Sequence, residues 1–234
     1  MQKVIEDFEK RVLEVDKYFM YLKHLSTPGA LLTLPQSISV KLDADFLEMI
    51  KANSLLILYN LIEFAIRQGI LEIYHQIKQE GFCYEKLRPE IREIWIKSHY
   101  RKVFNPESNW NTAQKEASIM VDDVANKTII QLGEKAIPLS GNLDAKEIRR
   151  ICELHKISYA VAPGAKGGSQ LLAVKTKRNE LSHGNISFLE CGHELTLDDL
   201  EEIKNEVIIF IRCILNNMKD YVDNKQYALS PPSS

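Results

Sequence analysis

Residues 46–79 read FLEMIKANSLLILYNLIEFAIRQGILEIYHQIKQ. Apolar residues recur at the three- and four-residue steps of a helix, and between Leu55 and Ile66 they occupy nearly every side of it. A helix that is apolar all round must be covered by others, so Phe46–Gln79 is expected to be the central buried helix of the fold. Asp43 or Asp45 supplies a side-chain acceptor for the unpaired N–H groups at its start.

Upstream, Ile5, Phe8, Val12, Val15, Phe19 and Leu22 lay an apolar stripe along one face of a first helix, which ends near Ser26-Thr27-Pro28-Gly29. The stretch from there to Leu42 is broken by Pro28, Gly29 and Pro35 with apolar residues between, and reads as an ordered connection lying on the core. Downstream, Pro89 suits the first turn of a third helix running through Tyr100, and a fourth is expected from Thr112 to Asn126. Ile129–Leu143, with Gly133, Pro138 and Gly141, reads as a connection with room for a short strand. Asp144 caps a helix through Leu154, and Pro163–Gly168 reads as a flexible turn before a helix that carries Arg178, Asn179 and His183 in its last turns, with Gly184 as the stop. Thr196 followed by Leu-Asp-Asp-Leu-Glu-Glu gives a capped start and an acidic first turn to a last long helix, to about Tyr221. No internal repeat is visible. The fold class is therefore all-α, a single helical domain over 1–229 with short strand content at most, and Ser230–Ser234 is expected to be a frayed, flexible tail.

The 234 residues are 45% hydrophobic and 26% charged, ordinary for a globular chain able to bury a sizeable core. A net charge of -2 and a pI near 6.3 exclude a polycation that coats nucleic acid by charge alone, so any RNA contact must be local. Met1 is followed by a charged amphipathic segment, and no apolar run is expected to reach the roughly 20 residues of a bilayer span. Cys83, Cys152, Cys191 and Cys213 are widely spaced without a C-x-x-C pair, which points to reduced thiols. These features lead to the expectation of a soluble, cytoplasmic protein with no membrane partner.

Chemistry concentrates in Lys175–Asn185, K-T-K-R-N-E-L-S-H-G-N. Histidine trades a proton near neutrality and arginine is a permanent forked cation suited to phosphate, so Arg178 and His183 suggest a phosphodiester site. Asn179 and His183, four apart, share a helix face, whereas Arg178 lies roughly 140° round the axis from His183. Arg178 must therefore use its reach or face a second copy of the helix.

The segment resembles the R-N-x-x-x-H form of the R-x4-6-H motif of the HEPN superfamily of small helical domains. Tyr59-Asn60-x-x-Glu63, Ser140-Gly-Asn-Leu-Asp144 and Phe188 are similar to the MAE-type prokaryotic branch. The resemblance implies a HEPN-like helical bundle with additional helices and a metal-independent endoribonuclease without cofactor. It further implies a homodimer whose two motifs face one another, and a role as toxin or defence effector with a cognate antitoxin or defence-system partner. In that reading His183 is the general acid or base, Arg178 neutralises charge at phosphorus and Asn179 orients a phosphate oxygen or the imidazole. Asn60 and Glu63 support them, and Lys166, Lys175 and Lys177 contact RNA. Relatives silenced by a paired nucleotidyltransferase carry R-x4-H-x-Tyr; the tyrosine position here is Asn185, so the resemblance does not extend to that control.

Other candidates are weaker. Cys191-Gly-His193 has two soft ligands where structural zinc needs four. Gly164–Ser169 lacks the order of a P-loop. Lys97–Lys102, near Arg88, Arg92, Trp95 and Phe104, mixes cations with rings as RNA-binding surfaces do, and as solvated helix ends also do. His24, His75, His99 and His155 have no partner recognisable from sequence. Two other functions fit the same residues: a non-catalytic helical module for RNA or nucleotide binding and dimerisation, and an unrelated enzyme centred on Asn60 and Glu63.

Overall fold

The computed structural model describes residues 1–35, 38–103, 110–137 and 141–229, with the backbone alone for 34 and 101–103. Phe104, Pro138, Ser140 and the tail Ser230–Ser234, all singled out above, lie outside the described residues. Among those described, eight α-helices and one two-stranded hairpin follow in the order α1 (Gln2–Leu25), β1 (Leu31–Leu34), β2 (Ile38–Lys41), α2 (Ala44–Gln79), α3 (Pro89–Val103), α4 (Trp110–Ala125), α5 (Ala145–His155), α6 (Gln170–Ser182), α7 (Phe188–His193) and α8 (Leu197–Asp223). The fold is an all-α bundle, as its patterning implies.

Helix α2 is the axis. Asp43 caps it, accepting from the Asp45 N–H at 3.1 Å, and Leu55, Leu58, Ile62, Ile66, Ile70 and Ile73 along it are completely or almost completely buried. The stripe Phe8, Val12, Val15, Phe19 and Leu22 of α1 covers one side, and Val207, Phe210, Ile211, Ile214 and Met218 of α8 cover another. At 36 residues, with an 18-residue window of mean hydropathy 1.4, α2 does meet the length and composition of a bilayer span. This corrects the expectation that no segment reaches that size. Half of that window is buried inside the protein, where α1, α6, α7 and α8 supply the apolar surroundings.

Two connections differ from expectation. The segment before Leu42 is a β-hairpin standing off the core. Leu32 pairs with Val40, which puts both on one face with Ile38, and these three side chains are 48%, 44% and 53% exposed. The strands are four residues long, too short for alternation to reveal them. Pro163–Gly168, expected as a flexible turn, is a pair of tight turns joined at a kink and seated on α8, with Lys166 and Gly167 in left-handed backbone at φ +43° and +69°. Gly168 has φ +75°, and a Cβ there would lie 2.7 Å from the Phe210 ring. Over the described part of 129–143 no strand forms; Ile129 makes an isolated bridge with Cys83, and Glu134–Ala136 form a short 3-10 turn.

The last residue of α5 ties that helix to the core. His155 is fully buried, with Nδ1 2.7 Å from the Ile151 carbonyl and Nε2 2.9 Å from the Tyr74 hydroxyl. Since a carbonyl only accepts, Nδ1 carries the proton and Nε2 accepts from Tyr74. Burial lowers the His155 pKa from 6.5 to about 4, so between these values the unfolded chain binds the extra proton. Stability from this group is complete above pH 6.5 and falls towards pH 4, by roughly 3 kcal/mol in total. Urea unfolding at a series of pH values is expected to show a shallower acid slope for His155→Gln than for wild type. Equal slopes would contradict the assignment.

Candidate functional site

Helix α6 is fastened at its start and open at its end. Glu206 of α8, only 2% exposed, accepts from the Gln170 N–H at 2.6 Å and the Ser169 hydroxyl at 3.0 Å. It thus places a carboxylate at the positive pole of the helix. Leu171, Val174 and Leu181 turn inward. At the other end the Asn185 N–H returns to the Glu180 carbonyl at 2.9 Å and the Gly184 N–H to Leu181 at 3.3 Å, with Gly184 at φ +70°. This paired C-terminal closure suits glycine because the left-handed backbone disfavours a Cβ. His183 is the last residue before the turn, and its side chain is exposed without a hydrogen bond among the described residues.

Arg178 behaves differently. Its guanidinium lies over the Tyr59 ring, with Cζ 3.9 Å from the centroid. Nη1 donates to Asn179 Oδ1 at 2.7 Å and Nη2 to the Gly141 carbonyl at 2.8 Å, with Glu63 at 3.9 Å. The Tyr59 hydroxyl donates to the same Gly141 carbonyl at 2.5 Å and accepts from the Leu143 N–H at 3.1 Å. Burial raises the Tyr59 pKa, which keeps the hydroxyl a donor. Glu63 is also held by Arg67 at 3.1 Å. One turn of α2 and the approach to α5 therefore clasp the motif arginine. Glu63, expected from the resemblance to support the motif, does lie beside Arg178; what reading Arg178 against an isolated helix missed is Tyr59, which with Glu63, four apart, forms a single face opposite α6.

Next to the clasp, Asn179 Nδ2 donates to Asn142 Oδ1 at 2.7 Å, and Lys175 reaches Asp144 at 2.5 Å. Burial pushes the Asp144 carboxyl up, but the Lys175 ammonium and the Glu147 amide outweigh it and leave its pKa below the ordinary value. Asp144 also caps α5, accepting from the Glu147 N–H at 2.8 Å.

The remaining sequence candidates separate. Asn60 is not brought to the motif: it is exposed and meets Arg11 of α1 at 3.5 Å. Lys177 lies on the opposite flank of α6 from Asn179, paired with Glu194 at 2.5 Å and Glu180 at 3.2 Å. Lys166 pairs with Glu202 of α8. Cys191 is buried and His193 lies 3.7 Å from Glu48; among the described residues no group of three or more His, Cys, Asp and Glu side chains is placed to hold a metal. Lys97 pairs with Glu93 at 2.5 Å, and His99 with Glu116 at 2.8 Å while its ring meets Trp95.

A helical bundle presenting R-N-x-x-x-H at the end of α6, with its arginine clasped by the central helix, agrees with what the HEPN resemblance implies. Residues 1–227 match the MAE_28990-like HEPN family, and the chain belongs to it. HEPN domains are generally ribonucleases or nucleotide-binding modules. No curated protein and no solved structure matches the chain.

Proposed function

We propose that this protein is a metal-independent endoribonuclease that works as a homodimer in the cytoplasm. We propose further that it is a toxin or defence effector restrained by a partner protein. The observation that carries the reading is the contrast within α6: Arg178 is held in a fixed place while His183, five residues later, stands open to solvent. RNA brings its own nucleophile, so a site needs only proton transfer and charge stabilisation at phosphorus.

His183 takes the 2′-hydroxyl proton as the oxygen attacks phosphorus, and an imidazole, from the same or the second copy, protonates the departing 5′-oxygen. The products are a 2′,3′-cyclic phosphate and a 5′-hydroxyl end. Among the described residues Arg178 makes two hydrogen bonds and an ion pair with Glu63 at 3.9 Å, and in this reading its remaining N–H groups serve the phosphoryl oxygens. Asn179, bonded to Arg178, orients the guanidinium. The purified protein is expected to cut RNA at an undiminished rate in EDTA, leaving cyclic phosphate ends detectable by mass spectrometry. Cleavage that stops in EDTA would reject this mechanism.

A second reading, a non-catalytic module that binds RNA or nucleotides and dimerises, is favoured by one observation: the guanidinium is folded back on Tyr59 instead of reaching outward. Tight RNA binding with no cleavage at any salt concentration would select it.

A further inference from the structure

Three side chains beside the motif are linked head to tail. Arg178 Nη1 donates to Asn179 Oδ1, and Asn179 Nδ2 donates to Asn142 Oδ1, each at 2.7 Å. The order follows from chemistry: a guanidinium only donates, so Asn179 turns its oxygen to Arg178 and its nitrogen to Asn142, whose oxygen is thereby taken. The Asn142 NH2 is left exposed, with no partner among the described residues. Hydrogen bonds in a chain polarise one another, so its N–H groups carry outward part of the positive character of the clasped arginine.

That NH2 belongs to the lining of an open groove of about 600 Å³ beside α5, whose other cations are Lys146, Arg149, Arg150 and Lys175. Two of its carboxylates are matched one to one: Asp144 with Lys175 at 2.5 Å, and Glu147 with Arg150, whose Nε and Nη2 meet it at 2.8 and 2.6 Å. Glu153 is the one further lining carboxylate, against two further cations: Lys146, which is exposed, and Arg149, whose guanidinium donates to the Gly167 carbonyl and lies over the Phe210 ring and keeps its remaining N–H groups for a ligand. The groove therefore offers an excess of donors and positive charge beside Asn179, in a chain of net charge -2.

We infer that Asn142 is a substrate-binding residue: its NH2, with Lys146 and Arg149, takes a backbone phosphate of the RNA adjacent to the scissile one, and the strand runs along the exposed face of α5. This rests on the ribonuclease reading and adds a subsite to it. Neutral donors beside cations suit a phosphodiester, which needs several convergent hydrogen bonds as well as charge.

The test pairs binding of a 2′-O-methyl oligonucleotide, which cannot be cut, with steady-state cleavage of the same sequence as RNA. Asn142→Asp preserves shape and the acceptor for Asn179 but replaces the NH2 by an anionic oxygen. It is expected to raise both Kd and KM about tenfold, with kcat changed less than about threefold. Lys146→Glu, at an exposed position whose side chain has no hydrogen bond or ion pair among the described residues, is expected to weaken binding similarly and to leave the unfolding midpoint unchanged. Unchanged Kd and KM in both variants would overturn the subsite. So would a fall in kcat alone for Asn142→Asp, which would make Asn142 a positioning residue acting through Asn179. A wild-type protein that binds the oligonucleotide but never cuts RNA, with binding still weakened in both variants, would overturn the ribonuclease reading and leave the subsite standing.

Discussion

His183→Ala is expected to abolish RNA cleavage, lowering it by roughly a thousandfold, and to leave the folded protein as stable as wild type. The imidazole is exposed and bonded to nothing among the described residues, while the contacts at this position belong to the backbone: its N–H meets the Asn179 carbonyl at 3.0 Å and the next residue closes the helix. Alanine keeps all of these. Arg178→Ala is expected to be equally inactive but also less stable, by about 1–2 kcal/mol, because stacking on Tyr59 and the bond to the Gly141 carbonyl go with it. Single-turnover cleavage beside thermal unfolding separates the two variants. Retained cleavage by the His183 variant would remove the histidine from the mechanism.

Gly192→Ala is expected to destabilise the domain by roughly 3 kcal/mol, although alanine is the better helix former by about 1 kcal/mol. Helix α7 lies so close on α2 that a Cβ at Gly192 would stand 2.1 Å from the Glu48 carbonyl oxygen and 2.8 Å from its Cα. Both obstacles are backbone of the central helix and cannot rotate aside. Helix α7 must move outward, uncovering Cys191, which is completely buried. Chemical denaturation measures the loss. An unchanged midpoint would mean that α7 sits on α2 more loosely than this contact requires.

Much of the architecture is readable from residue spacing alone. The central helix declares itself because Leu55–Ile66 is apolar on all sides, and the starts of α5 and α8 because Asp144 and Thr196 carry capping side chains in the right register. The hairpin stayed hidden because four-residue strands with exposed apolar faces mimic a connection. Pro163–Gly168 looked loose because glycine permits flexibility and close approach alike, and only the Phe210 ring decides between them. At the site, spacing gave the shared face of Asn179 and His183 but set Arg178 apart. What it lacked was the partner helix: the stacking by Tyr59, the Gly141 carbonyl and the link to Asn142 all join residues far apart in sequence. Asn60, one residue from Tyr59, turned out to face α1 for the same reason, since neighbours on a helix point about 100° apart.

Glu206 clamps the base of α6, the Tyr59 clasp grips it again at Arg178, and Leu181 buries the inner side of its last turn. Helix α6 is thus riveted along its length, and the imidazole of His183 is carried on a rigid mount. A ligand that meets it must come to the histidine, because the helix beneath is already committed to the core.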